Sequence, residues 1–188
     1  MTSTVRRALP ATAAVLLLAA CSSASGAPEV EVPEPRGEAA DVCRALAEDL
    51  PEVVDGQERG ELAEETPFAA VWGSPGIVLR CGVPTPAQLD PASDAYDPVY
   101  ADVVGVNEVS WLLEEEADGI RFTTTERTVP VEMTVPDAYA PEVNPLLDVA
   151  EAIDRHVPLD ELYQRDETDE TDETNEDGTG GGDPGHQH

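Results

Sequence analysis

The first twenty-one residues constrain this chain most, because they decide in which redox environment the remainder folds. Arg6 and Arg7 precede a short apolar stretch centred on Val15 to Leu18, and small residues then lead into Cys21. A basic start, an apolar centre and a small-residue cleavage site describe an export signal, residues 1–20, whose removal leaves Cys21 as a lipid-bearing N-terminus. The apolar run from Ala8 to Ala20 is interrupted by Pro10. It is about a dozen residues long, whereas a helix needs roughly 20 to cross a bilayer. A transmembrane reading is therefore poor. Pro10 and Ala11 after Arg6-Arg7 lack the polar and aromatic context of a twin-arginine signal, so the general secretion route is expected.

Leu18-Ala19-Ala20-Cys21 resembles the lipobox cut by the lipoprotein signal peptidase. Plain cleavage with release competes, since Ala19 to Ser23 offers small residues at a cut site as well. A diacylglyceryl group on Cys21 brings two long chains of the palmitate type. At about 0.8 kcal/mol per buried methylene, two chains suffice for stable attachment. The expectation is a lipoprotein anchored to the extracytoplasmic face of the cell membrane.

Export fixes the cysteine chemistry. The chain has three cysteines, and assigning Cys21 to lipid leaves Cys43 and Cys81 as an even pair in an oxidising space. One disulfide is the simple assignment. Closing a loop of roughly 38 residues is worth about 4 kcal/mol on the chain-entropy argument. A redox or nucleophilic thiol is the competing role. No Cys-x-x-Cys is present and no His lies near either cysteine in sequence.

All ten basic residues are Arg, and the formal charge is -30. The segment from Asp166 to His188 carries nine acids and no Arg or Lys, so without it the charge is still -21. The body is acidic in its own right. Nucleic-acid binding is excluded as an expectation, because phosphate recognition rests on Arg and Lys patches that are missing here. Adsorption to anionic lipid is disfavoured for the same reason, and solubility is the plain reading of the charge.

Four regions follow from composition. After the leader, residues 21–40 are rich in Ser, Ala, Pro and Glu, with Pro28, Pro33 and Pro35 spaced through them, and read as a tether. Its reach is roughly 25 Å as a flexible coil and roughly 60 Å as a polyproline-like segment. Both exceed the Debye length of about 8 Å. Residues 41–163 are long enough for one globular domain with one core. Residues 164–188 repeat Asp-Glu-Thr and then turn to Gly and Asp, a composition with too little apolar surface to fold.

Within the domain, Ala40, Cys43, Leu46, Ala47 and Leu50 recur at helical spacing until Pro51. The apolar runs Phe68–Trp72 and Ile77–Val83 around Gly73-Ser74-Pro75-Gly76 predict a hairpin. Pro84 to Val99 reads as loop. Strands are expected at Val103–Leu113, Ile120–Thr125 and Val129–Val135, with Asp118-Gly119 as a tight turn. A last helix is expected after Asn144-Pro145, Asn144 capping it and Leu146, Leu147, Ala150, Ile153 and Val157 facing inward. The fold class expected is α+β: an antiparallel sheet of about five strands, two helices packed on one face, and one disulfide.

The run Ala70 to Pro84, with Trp72-Gly73 and Leu79-Arg80-Cys81-Gly82-Val83-Pro84 at its ends, resembles the domains of unknown function grouped as family three-five-one-five. The likeness extends through Val106–Trp111, Phe122–Thr125 with Arg127, and Val131–Val135, and so covers roughly the whole domain. It implies an actinobacterial envelope or membrane-associated protein with a cysteine pair. It brings no catalytic residue to transfer. The acidic tail falls outside it.

Candidate chemistry is sparse. His156 could serve as a general base, but no nucleophile elbow accompanies it, and a histidine at a helix end is the plainer reading. Glu114, Glu115 and Glu116 with Glu108 and Glu126 could supply two opposed carboxylates for glycoside hydrolysis, though so acidic a chain supplies pairs by chance. Asp90, Asp94 and Asp97 lack the EF-hand pattern and read as turn residues. His186 and His188 alone make a poor metal site. Trp72 and Trp111 are expected in the core. Arg80 and Arg127 are the possible ligand-facing residues, either meeting a carboxylate-bearing ligand or pairing with a neighbouring Glu. No cofactor and no metal are expected. The expected role is a non-catalytic interaction or support domain, with another envelope protein or wall component as its partner. An envelope-glycan hydrolase using a Glu pair, or a small-solute-binding lipoprotein, is the alternative.

Overall fold

The computed structural model describes residues 30–164; the leader, Cys21 and the acidic tail lie outside the described residues. Helix α1 spans Glu38–Asp49 and buries Ala40, Cys43 and Leu46, one residue per turn on a single face. Glu38 and Asp41 in its first turn complement the positive end of the helix dipole. Leu50, extended ahead of Pro51, ends it, as a residue before proline must.

A two-stranded hairpin follows, β1 (Val53–Val54) and β2 (Gln57–Glu58), turning through Asp55 and Gly56. Both turn residues have positive φ, 46° and 73°, the conformation that Asp-Gly favours in a tight hairpin. The main sheet is built from β3 (Ala69–Trp72), β4 (Ile77–Cys81), β5 (Val103–Val106), β6 (Val109–Glu116), β7 (Gly119–Thr124) and β8 (Val131–Pro136). Their spatial order is β3-β4-β8-β7-β6-β5, every neighbouring pair antiparallel. Helix α2, Asn144–His156, completes the fold.

Six strands stand where about five were expected, because Val103–Leu113 is not one strand. The chain reverses at Asn107-Glu108, and Asn107 takes φ 52°. Asn is among the few residues that enter the left-handed region at modest cost. Val106 then faces Val109 across a two-residue turn. The cap of α2 also differs from expectation. Val143, not Asn144, holds the capping position, with no side-chain cap bond; Asn144 is already helical. Leu147 is 53% exposed and Val149 is buried in its place. The inward stripe is Leu146, Val149, Ala150 and Ile153, at spacings of three, one and three.

The register places Ala70, Trp72, Ile77, Leu79, Cys81, Val131, Met133, Val135, Phe122, Trp111, Val109 and Val106 on one face of the sheet. Those residues form one core with the inward faces of α1 and α2. Both helices therefore cover the same face, which is the expected α+β arrangement. Burying each large side chain there contributes about 1.5–3 kcal/mol. Trp72 also donates its indole N–H to the Pro51 carbonyl at 2.9 Å, tying the sheet edge to the end of α1.

The segment from Val30 to Arg36, within the expected tether, runs extended against β4. Arg80 donates to the Glu31 carbonyl at 3.1 Å. Gly82, at φ 83°, lies under Pro35, where a Cβ would come within 2.6 Å of the ring. Only glycine satisfies both the backbone and the contact. Among the described residues, no helix is long and apolar enough to cross a membrane.

Candidate functional site

Cys43 on α1 and Cys81 at the end of β4 form a disulfide, with both residues buried. It staples the first helix to β4, one strand in from the sheet edge, 38 residues apart in sequence. This is the pairing that the cysteine count implies.

The two candidate arginines are engaged inside the protein. Arg80 on β4 faces Glu132, its register partner on β8. Its guanidinium lies 2.7 Å from the Glu132 carboxylate, which is 8% exposed. With the bond to Glu31 added, Arg80 joins β4 and β8 to the N-terminal segment. Of its two possible roles, pairing with a neighbouring Glu is the one the structure displays.

Arg127 follows β7 in the turn leading to β8, and its side chain is only 2% exposed. It donates to the Val157 carbonyl at 2.8 Å, the Glu108 carbonyl at 2.5 Å and the Asp154 carboxylate at 2.9 Å. Val157 is the residue that ends α2, so the guanidinium sits on the negative end of that helix. Backbone bonds Thr128 to Pro158 and Asp160 to Glu126 stitch the same turn to the chain leaving α2. Arg127 is a clamp between the sheet and the helix terminus. All of its described bonds run to groups of the protein, which leaves it buried rather than ligand-facing.

The glutamates fall into two groups. Glu114 and Glu116 lie on the same face near the β6–β7 turn and share Arg121, at 3.2 and 2.9 Å. Partial burial disfavours the Arg121 charge, but these carboxylates outweigh it and raise its pKa above the ordinary value. Glu108 and Glu126 lie at the other end of the same strand pair, where Ser110 donates to Glu126 at 3.4 Å. Glu114 lies six residue steps beyond Glu108 along β6, about 20 Å. That is well beyond the roughly 5–10 Å of a glycosidase pair.

His156 is the last residue of α2, with Nε2 3.1 Å from Asp49 Oδ2. Arg155 also contacts Asp49, joining the ends of the two helices. The hydrogen bond to His156 first, with the charge and hydrogen bond of Arg155, holds the Asp49 carboxyl below its ordinary value against the opposing effect of desolvation. Asp90 accepts from the Ala92 backbone and Ser93 from that of Ala95, the turn chemistry expected of this loop. Among the described residues, no three His, Cys, Asp or Glu side chains converge as metal ligands. His186 and His188 lie outside the described residues.

One concave feature escaped the sequence. An open groove of about 690 Å³ lies between the outer edge of β3 and the segment 60–67, lined by Arg59, Glu61, Glu65, Thr66 and Ala69. Arg59 stacks over Trp72, 5.6 Å from the ring centroid. Asp55-Gly56 was the signal available: a hairpin there carries the chain back along β3 and brings Arg59 opposite Trp72. The groove is shallow and mixed in charge, with two carboxylates beside one guanidinium.

A family model described as "Protein of unknown function (DUF3515)" matches residues 5–162, and the chain belongs to that family. No curated protein and no solved structure matches the chain.

Proposed function

We propose that this member of the family is a lipoprotein held at the extracytoplasmic face of an actinobacterial cell membrane, where its domain acts by binding rather than by catalysis. The observation that carries this reading is a lipobox-like leader in the same chain as a buried disulfide. Leu18-Ala19-Ala20-Cys21 supplies an acylation site. Cys43–Cys81 is a bond that persists in an oxidising compartment. The family match begins at residue 5 and so takes in most of the leader together with Cys21.

The half-buried Arg80 and the buried Arg127 support a non-catalytic role, since their donors serve the fold. Glu114 and Glu116 are both engaged by Arg121, and the Glu108 group lies about 20 Å along β6, which supports it as well. Because Val30 to Arg36 lies along the sheet, eight residues, 22–29, connect Cys21 to the body. Such a link reaches at most about 30 Å. The domain would therefore work close to the headgroups, on a partner in the membrane or the inner wall.

Cys21→Ala tests the anchor. Wild-type protein should incorporate a fatty-acid probe and sediment with membranes. The variant should take up no probe and be found unprocessed or shed. Equal labelling of the two proteins, or wild-type protein in the cytosol with its leader intact, would overturn the reading.

A further inference from the structure

Strand β5 is an outer strand of the main sheet, and one of its two edges is open. Its bonds to β6 alternate. Asp102 accepts from Leu113 at 2.8 Å, and the next inward-bonding residues in register are Val104 and Val106. In an antiparallel ladder the residues between them, Val103 and Gly105, therefore turn their N–H and C=O groups outward. Among the described residues no strand pairs with that side.

Sheet proteins blunt such edges with lysine, proline, a bulge or an inward charge. Val103-Val104-Gly105-Val106 has no lysine, proline, charge or bulge, and only its shortness, four residues, guards the edge. Val103 is 53% exposed, and a Cβ added at Gly105 would meet nothing within 4 Å. The connection leading into the strand exposes Tyr96, Val99 and Tyr100, the last two by about four-fifths. Of the eight large hydrophobic residues exposed in the described structure, four fall in this stretch of eight residues. An open edge thus adjoins an apolar, aromatic loop.

Charge narrows the occupant. From Gly82 to Ile120 there is no Arg or Lys, while Asp94, Asp97 and Asp102 flank the exposed side chains. A second copy of this chain would bring the same acids to the contact, and an anionic membrane would be repelled. We infer that the β5 edge, with Val99 and Tyr100, is a docking site for an extended, Arg- or Lys-bearing segment of another protein that adds a strand to the sheet. Main-chain bonds to Val103 and Gly105 would hold the segment, apolar residues would pack on the loop, and basic residues would meet the aspartates. This rests on reading the domain as a binding module and gives that reading its surface.

The test uses the full-length lipidated protein in nanodiscs and a labelled peptide alternating Arg with Val. Hydrogen exchange at the Val103 and Gly105 amides should slow at least tenfold when the peptide is added. Gly105→Pro removes an outward N–H at an edge position where proline is tolerated, so it should weaken binding at least tenfold with little change in the urea midpoint. Should that variant fail to fold, the Val99→Ser, Tyr100→Ser double variant is expected to lose binding by a similar factor. Affinity should fall with added salt, and a Glu-Val peptide should not bind.

No binding to wild-type protein, or protection confined to other strands, would overturn the inference. So would equal binding of the Glu-Val peptide, or self-association abolished by Gly105→Pro, which would assign the edge to a second copy. Fatty-acid labelling is read in parallel. Labelled protein that ignores the peptide refutes the edge alone, and unlabelled protein that binds it refutes the anchor alone.

Discussion

Replacing Arg127 by Met should destabilise the domain by about 2–4 kcal/mol, and the figure follows from what each bond of the guanidinium faces. The Val157 carbonyl is buried and the Glu108 carbonyl partly so. A buried acceptor left without its donor costs about 1–3 kcal/mol. Removing a cation from the end of α2 costs about 0.3–1 kcal/mol more. The ion pair adds little, because the Asp154 side chain is 48% exposed and such pairs are worth about 0–1 kcal/mol. Against these losses stands the relief of no longer burying a charge, which often offsets part of the cost.

Urea denaturation followed by tryptophan fluorescence is the assay. With m of about 2 kcal/mol per molar, the midpoint should drop by about 1–2 M. Asp154→Asn should cost under about 1 kcal/mol, since solvent already screens that carboxylate. An Arg127→Met midpoint within about 0.2 M of wild type would refute the clamp. A loss from Asp154→Asn as large as that from Arg127→Met would show that the ion pair, not the carbonyl bonds, matters.

Two further outcomes test other parts of the molecule. Replacing Cys43 and Cys81 together by Ala should cost about 4 kcal/mol from the 38-residue loop, with wild type under reductant shifted similarly; a loss below about 1 kcal/mol would show that the staple restrains little. Asp49 has its folded pKa lowered from 3.8 by His156 and Arg155, so its stabilisation is present above pH 3.8 and is lost as pH falls through the lowered value. Asp49→Asn should thus be less stable than wild type at neutral pH and converge with it in acid, and a gap that persists unchanged to pH 2 would refute the assignment.

Local patterns carried much of the fold. The turn-by-turn spacing of Ala40, Cys43 and Leu46 marks α1, and Pro51 marks its end, because both depend on residues within one or two turns. The cysteine count allowed a single pairing once Cys21 was set aside for lipid, and the structure contains that pair. Asp118-Gly119 announced the β6–β7 turn. Asp55-Gly56 carried the same kind of signal for the small hairpin but lay between strands of two residues each, too short to show an apolar alternation. Asn107-Glu108 was harder still. Valines flank it on both sides, so composition alone continues the strand, and only the left-handed turn at Asn107 reveals two.

The roles of the arginines were beyond reach of the sequence by itself. Arg80 and Glu132 are 52 residues apart, and Arg127 and Asp154 are 27 apart. Which carboxylate or carbonyl each guanidinium meets depends on strand order and register, where a slip of one residue turns every side chain to the opposite face. The same order, β3-β4-β8-β7-β6-β5, leaves β5 outermost though it lies mid-chain. Sequence determined the cysteine pairing and most of the kinds of element, through the cysteine count and short-range chemistry. Tertiary structure alone decided which charges are enclosed and which edge stays open, because only the packed sheet brings distant backbone groups together or leaves them without partners.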